Sequence, residues 1–310
     1  MDATYDVVIV GGGAAGLTAA LYTSRAKLNT VIIEREAIGG ELMNRDQIEN
    51  YPGYPDGIMG PELGSNMMTQ AMNHGAEIKV SEVEGIEVDG VYKVVKTAEG
   101  HYRAKAVILA SGAHPKKLGI PGEEEFIDNG VFYCATCDGP RFTGKTVAVA
   151  GSGDSGLTEA LFLTRFVSKV VVFELLPYAT ANKSLQERAF TNPKITARCG
   201  YKIEAIRGDD AVKELDLLEV QTEQKSTLEA DGLLVHIGLE PNTDYLKSSL
   251  MLSEKGQVPV NEIMETTIAG IFAAGDIRHN SPMQIATAVG DGATAALSFG
   301  KYLETRWNQA

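Results

Sequence analysis

Cysteine is scarce in this 310-residue sequence, and three residues of it are too few for the disulfide framework of a secreted domain. Long apolar runs are absent: nothing reaches the roughly 18 residues of a membrane span, and the first residues lead into a strand where a signal peptide would carry a basic flank. The expectation is a cytoplasmic protein without membrane attachment. Basic residues are outnumbered, 28 Lys and Arg against 41 Asp and Glu, and the net charge of −13 with no basic stripe argues against nucleic acid as a partner. No second ligand pair accompanies the close cysteines Cys134 and Cys137, so no metal site is expected, and Cys199 reads as a small core residue.

What is present is a duplicated unit. The β-branched run at 5–10 meets Gly11, the segment Ala14 to Ala26 reads as a helix, and Thr30–Glu34 returns as a strand. The second copy has a strand at Thr146–Ala150, a turn from Gly151, a helix through about Phe166 and a strand at Lys169–Glu174. The fold class that follows is α/β, with two Rossmann-like, three-layer dinucleotide-binding domains. Gly- and Pro-containing stretches near 112–118 and 238–244 mark the chain's crossings, and an apolar-periodic helix from about Met283 to Leu303 closes the sequence. The second domain is therefore expected as an insertion, 114–243, within a first domain made of 1–113 plus 244–310.

In the first turn, Gly11, Gly13 and Gly16 with Ala14 and Ala15 satisfy the GxGxxG pattern directly between a strand and a helix. Such glycines let the backbone approach a pyrophosphate at a helix N-terminus. Glu34 follows Gly16 by 18 residues at a strand end, where its carboxylate can accept from ribose hydroxyls, and Arg35 next to it is placed in the same site. The pair Cys134 and Cys137, three apart at an expected helix start, can close a small disulfide ring, and the helix N-terminus favours a thiolate on reduction.

Two strings resemble known families. Ile271-Phe272-Ala273-Ala274-Gly275-Asp276 is similar to the segment of FAD-dependent disulfide reductases whose aspartate holds the ribityl chain, which implies FAD as cofactor and Asp276 as a ligand. Gln284 and Ile285, at the start of the helix that follows, would then face the flavin's pyrimidine carbonyls. Tyr133-Cys134-Ala135-Thr136-Cys137-Asp138-Gly139, with the inserted second domain, resembles the active site of the low-molecular-weight thioredoxin reductases. That resemblance implies that Cys137 faces flavin C4a, that Cys134 attacks the partner's disulfide and that Asp138 shuttles the proton. It extends to Gly39-Gly40-Glu41-Leu42, to Ile48–Gly53 with Asn50, to the turn at Gly112 and to Gly290-Asp291-Gly292, which adds Gly40, Glu41, Leu42, Asn50 and Gly112 to the expected flavin site. Asn50 reads equally well as a turn residue. Thioredoxin or a similar disulfide protein is the implied partner, a homodimer the implied assembly, and the two crossings the implied hinges.

The second turn departs from the family. Gly151, Gly153, Asp154 and Ser155 repeat the pattern, but the stretch after the next strand, Phe173-Glu174-Leu175-Leu176-Pro177-Tyr178-Ala179, lacks the arginines that grip the 2′-phosphate of NADPH. Glu174 stands 18 residues after Gly156, as Glu34 does after Gly16, and a carboxylate there accepts from a 2′-hydroxyl and repels a 2′-phosphate. NADPH is disfavoured, and three donors remain: NADH, a second flavin bound at this turn, or reduced ferredoxin. The chain resembles the divergent thioredoxin reductases that lack these arginines. Trp307, the only tryptophan, follows the last helix, where it either stacks over the flavin ring or anchors the tail.

The expected function is a thioredoxin-disulfide reductase using FAD and the Cys134–Cys137 disulfide. The alternatives are a reductase of another disulfide carrier and a redox-sensing flavoprotein without turnover; a ferredoxin–NADP reductase of this fold would lack the cysteine pair.

Overall fold

The computed structural model describes residues 3–45, 47–305 and 307. Strand β1 (Ala3–Val10) is β-branched and its inner residues Val7 to Ile9 are wholly buried, as suits a central parallel strand covered on both faces. Helix α1 (Ala14–Arg25) and strand β2 (Thr30–Glu34) complete a βαβ unit. A hairpin of β3 (Gln47–Ile48) and β4 (Ile58–Met59) precedes helix α2 (Gly60–Asn73) and strand β5 (Glu77–Val80). Three strands then fold back antiparallel: β6 (Val83–Asp89), β7 (Tyr92–Thr97) and β8 (Gly100–Leu109). The sheet runs in the order β5-β2-β1-β8-β7-β6, and β8 is parallel to β1 with Leu109 opposite Val10. This register brings the carboxyl ends of β1, β2 and β8 level, so that Gly11, Glu34 and Ala110 meet at one edge.

The chain divides into two compact units, Met1–His114 with Glu240–Ala310, and Pro115–Leu239. It leaves the first through β9 (Ala113–Pro115) and returns through β18 (Leu239–Pro241), and these two short strands pair. In the second unit β10 (Val131–Phe132) leads into the four-residue helix α3 (Ala135–Asp138). Strand β11 (Thr146–Ala150), helix α4 (Asp154–Leu163) and strand β12 (Lys169–Glu174) repeat the βαβ unit, followed by α5 (Lys183–Phe190) and β13 (Ile195–Cys199). An antiparallel sheet of β14 (Tyr201–Gly208), β15 (Val212–Glu219) and β16 (Lys225–Glu229) intervenes before β17 (Gly232–Val235), and the parallel sheet reads β10-β17-β11-β12-β13. Back in the first unit, β19 (Ile271–Ala273) joins β8 in parallel and α6 (Ile285–Thr305) ends the fold.

Each unit is three-layered. In the first, one sheet face packs Leu17 of α1 and Phe299 of α6 against Ile9 and Phe272, and the other face packs Val8 and Leu109 against Leu246 and Val258. In the second, Leu157 and Leu163 of α4 cover Val147 and Val170, and the antiparallel sheet covers the opposite face through Leu215 and Leu217. Helix α4 stops at Leu163, short of the expected end near Phe166, because the N–H groups of Thr164, Arg165 and Phe166 bond to carbonyls three residues back and tighten the chain out of the α-helix. No helix among the described residues is long and apolar enough to cross a membrane.

Leu157 is fully buried, so Leu157→Ala should remove about 2–5 kcal/mol from the stability of the second unit, read by denaturant unfolding. A loss comparable to that of an exposed substitution would contradict this packing.

Candidate functional site

The first glycine turn is built by steric exclusion. Gly11 has φ of +103°, a conformation L side chains rarely adopt, and a Cβ there would run into the Ala110 carbonyl. A Cβ at Gly16 would strike the Gly11 carbonyl oxygen, so only glycine lets α1 sit this close to the strand end. Gly13 is the N-cap of α1 and no side chain caps it, which leaves the first-turn N–H groups at Ala14 and Ala15 pointed at the turn. Glu34 fixes the turn from the side: Oε2 accepts from Gly12 N at 2.6 Å and Oε1 from Glu36 N at 3.0 Å. Each carboxylate oxygen keeps a lone pair for a ribose hydroxyl.

Gly40, Leu42, Ile285 and the segment of Asp276 pack around this turn. Gly39 N bonds to Gly12 O at 2.9 Å, and Gly40 lies against Gly13. Leu42 is buried with Ile48, Ile58 and Leu63, and Ala14 and Ile285 pack on the same cluster. Asn50 Nδ2 donates to Gln284 Oε1 at 3.1 Å, which joins two residues 234 apart in sequence. Gly275 holds the Asp276 segment against Ala15, and Ser281 Oγ donates to Asp276 Oδ1 at 3.3 Å. Burial raises the Asp276 carboxyl above its ordinary value; the Ser281 hydrogen bond opposes the shift, and Glu41 and Asp291 add to it. Arg35 is turned to acidic neighbours, 3.0 Å from Glu36 and 3.7 Å from Glu82. Gly112 has φ of +66° where the β8 segment turns. Bare first-turn N–H groups, a fixed strand-end carboxylate and a second, half-buried carboxyl on the same unit fit FAD.

A residue that sequence reasoning left without a role supports this wall. Asp291 on α6 is buried, accepts from Arg278 Nε at 2.6 Å and Nη2 at 3.1 Å, and takes Gly275 N at 3.1 Å. It therefore fixes the Ala274–Gly275 peptide, one residue before Asp276. The Gly290-Asp291-Gly292 string was the available signal, since a Cβ at Gly292 would hit the Ala15 carbonyl.

Trp307 packs on the sheet of the first unit. Its ring meets Tyr92 edge-on at 4.9 Å, with Lys105 Nζ 5.8 Å from its centroid, at the start of β7 and the middle of β8. The glycine turn lies past the carboxyl end of β8, beyond Leu109. Tyr92 offers an aromatic edge and Lys105 a cation, and together they dock the tail.

The second turn reproduces the first. Gly151 has φ of +104°, a Cβ at Gly156 would strike the Gly151 carbonyl, and Gly153 is the N-cap of α4 as Gly13 is of α1. Glu174 Oε2 accepts from Ser152 N at 3.1 Å and Ser152 Oγ at 2.7 Å, and Oε1 from Leu176 N at 3.2 Å, the arrangement of Glu34 with one hydroxyl added. Asp154 Oδ1 accepts from Asn182 N at 2.7 Å and ties α4 to α5, and Ser155 is exposed in the first turn of α4. Cys199 pairs with Glu174 across β12 and β13, and its thiol is raised by burial and by that carboxylate.

Cys134 and Cys137 form a disulfide. Cys134 is the N-cap of α3, and its Sγ accepts from Cys137 N at 3.1 Å. Cys134 is half-buried and Cys137 exposed. Phe132 and Phe142, stacked at 4.8 Å, pack on the buried Ala135 side of the helix. Asp138 Oδ1 accepts from Arg141 Nη1 at 3.0 Å, and Arg141 Nη2 bonds to Asp128 O at 2.6 Å. Two further buried acids hold the segment, neither of them foreseen. Glu123 accepts from Leu118 N at 2.8 Å, Gly119 N at 2.7 Å and Tyr133 Oη at 2.9 Å; burial, then the Glu123 hydrogen bond, raises the Tyr133 hydroxyl. Glu159 of α4 accepts from Ala135 N at 3.1 Å. Among the described residues no cluster of His, Cys, Asp and Glu can hold a metal.

Two dinucleotide turns and a helix-start disulfide define a disulfide oxidoreductase of the FAD-dependent class. The family model for pyridine nucleotide-disulphide oxidoreductases matches residues 5–292. The thioredoxin reductase of Bacillus subtilis strain 168 is 43% identical over 302 residues, covering 97% of this chain and 95% of that protein. The crystal structure of Lactococcus lactis thioredoxin reductase in its FR conformation gives a TM-score of 0.95 at 40% identity, with 97% of this chain and 99% of that chain covered. A ferredoxin-flavin thioredoxin reductase from Clostridium acetobutylicum gives 0.55 at 30% identity, with 99% and 100% covered. The chain belongs to the pyridine nucleotide-disulphide oxidoreductase family and, within it, to the thioredoxin reductases.

Gly16→Val should abolish FAD retention on purification, read from the visible flavin band, because the added carbons meet the Gly11 carbonyl. Asp276 gives a pH test. Its raised folded-state value means that the ionised carboxyl opposes folding: the cost is absent below the unfolded value and complete above the folded one. Flavin-free Asp276→Asn should therefore be more stable than wild type at neutral pH, with the difference vanishing as pH falls below the ordinary carboxylate range. A thermal-unfolding difference that is flat with pH would contradict the assignment.

Proposed function

We propose that the chain is a thioredoxin-disulfide reductase that carries electrons from bound FAD through Cys134–Cys137 to thioredoxin. The observation that carries this reading is the disulfide itself, a three-residue ring at a helix start in a chain that also holds a flavin-type turn. When bound, FAD supplies a two-electron carrier. Gly11, Gly13, Ala14, Ala15 and Gly16 would hold its pyrophosphate, Glu34 its ribose and Asp276 its ribityl hydroxyls, while Gly40, Glu41, Leu42, Asn50, Gly112, Gln284 and Ile285 would line the rest of the flavin site. The disulfide takes up two electrons and two protons to become a dithiol. The α3 N-terminus favours the Cys134 thiolate, which attacks one sulfur of the partner's disulfide; Cys137 then attacks Cys134 in the mixed disulfide, re-forms the internal bond and releases the partner as a dithiol. Asp138, oriented by Arg141, moves the proton at the cysteine sulfurs.

The Glu174 geometry supports an adenine dinucleotide with a free 2′-hydroxyl as occupant of the second turn, NADH or another flavin in preference to NADPH. Reduced ferredoxin is the second reading, favoured by the likeness to the Clostridium ferredoxin-flavin thioredoxin reductase.

Cys134→Ser should keep its flavin and lose thioredoxin turnover by at least about a thousandfold, the scale for losing an essential member of a catalytic set; turnover within a few-fold of wild type would refute the route. Anaerobic titration with NADH, NADPH and reduced ferredoxin identifies the donor: bleaching by NADH or ferredoxin at concentrations where NADPH is inert is expected, and bleaching by NADPH at low concentration would overturn the Glu174 reading.

A further inference from the structure

The two glycine turns share one plan and differ at their second residue. Gly12 O accepts from Gly39 N at 2.9 Å and Ser152 O accepts from Ala181 N at 3.0 Å, so Ser152 stands where Gly12 does. In the first turn the space beside Gly12 is filled from the following loop, since a Cβ there would lie 2.7 Å from Ile38 Cδ1. In the second turn Ser152 carries its own side chain at this position and is wholly buried. An isoleucine methyl donates no hydrogen bond, whereas the serine hydroxyl does. Ser152 Oγ accepts from Thr180 N at 3.4 Å, and its own hydrogen goes to Glu174 Oε2 at 2.7 Å.

A carboxylate offers about four acceptor positions, two on each oxygen. Glu34 uses one on each oxygen, for Gly12 N and Glu36 N, and keeps one on each. Glu174 uses both positions of Oε2 for Ser152, N and Oγ, and one of Oε1 for Leu176 N, which leaves a single position on Oε1. The adenosine ribose of a dinucleotide presents neighbouring 2′- and 3′-hydroxyls to the strand-end carboxylate. Glu34 can receive both, one on each oxygen, and Glu174 can receive one. We propose that the Ser152 hydroxyl sets the nucleotide affinity of the second turn: by occupying an acceptor position on Glu174 it leaves an adenosine diphosphate group to be held through one ribose hydroxyl, and more weakly than the bare carboxylate would hold it. The proposal rests on the reading of the second turn as a nucleotide site. Removing the hydroxyl returns the position on Oε2 to the ribose and keeps the backbone bond from residue 152, which any amino acid except proline can make.

The test is calorimetric titration of the FAD-loaded protein with ADP, 2′-deoxy-ADP and 3′-deoxy-ADP, the bound flavin keeping these probes out of the first turn. Ser152→Ala should bind ADP about three- to tenfold more tightly than wild type, the range of one added hydrogen bond, and Ser152→Gly, the residue of the first turn, should do the same. Wild type should bind one of the two deoxy nucleotides as tightly as ADP, whereas Ser152→Ala should lose affinity for both. In a Glu174→Ala background the serine substitution should change nothing, which a merely structural role of Ser152 would not produce. ADP affinity in the serine variants indistinguishable from wild type, or an equal gain without Glu174, overturns the proposal and leaves the nucleotide reading standing. If neither serine variant folds, wild type decides: one tolerated deoxy nucleotide is required, and a loss with both overturns the proposal. If ADP binds neither wild type nor the variants, the nucleotide reading of the second turn falls and this proposal with it.

Discussion

A carboxylate at the end of a strand, accepting from the second backbone N–H of a glycine turn, is the contact on which both glycine turns depend. Glu34 makes it to Gly12 and Glu174 to Ser152. It holds the turn open so that the next N–H groups, at an uncapped helix start, face a diphosphate, and it sets one negative charge where a ribose would lie. Under the proposed function the same contact would also favour an occupant with free hydroxyls, because a carboxylate tolerates hydroxyls and repels a phosphate.

The redox segment follows a different logic. Its four-residue helix is too short to stand alone. Ala135 and the stacked Phe132–Phe142 pair bury one side of it, and Glu123 and Glu159 anchor the residues on either side of Cys134. The cysteine side stays open: Cys137 is exposed and Cys134 half-buried. Rigid support on one side with access on the other is the arrangement expected of a site that must react with a large substrate.

Local chemistry was legible in the sequence and long-range packing was not. The glycine turns were readable because steric exclusion at Gly11, Gly16, Gly151 and Gly156 acts within one βαβ unit, and the disulfide because its cysteines are three residues apart. The link between Asn50 and Gln284 spans 234 residues and left Asn50 open to a turn role. Trp307 was open between flavin and tail because nothing local sets its partner; Tyr92 and Lys105 are distant in sequence. Glu123, Glu159 and Asp291 escaped notice because an acid on a helix or loop reads as solvated surface unless a buried backbone N–H or arginine claims it.

The central claim is that one chain stores electrons in both a flavin and the Cys134–Cys137 couple, in communication with each other. Anaerobic dithionite titration of the purified yellow protein, with flavin absorbance and free thiols followed together, tests it most directly. The account predicts uptake of two electrons by the flavin and two by the disulfide per chain, with thiols appearing as the flavin band falls. A flavin that is fully bleached after two electrons, with the disulfide still intact on standing, would contradict it.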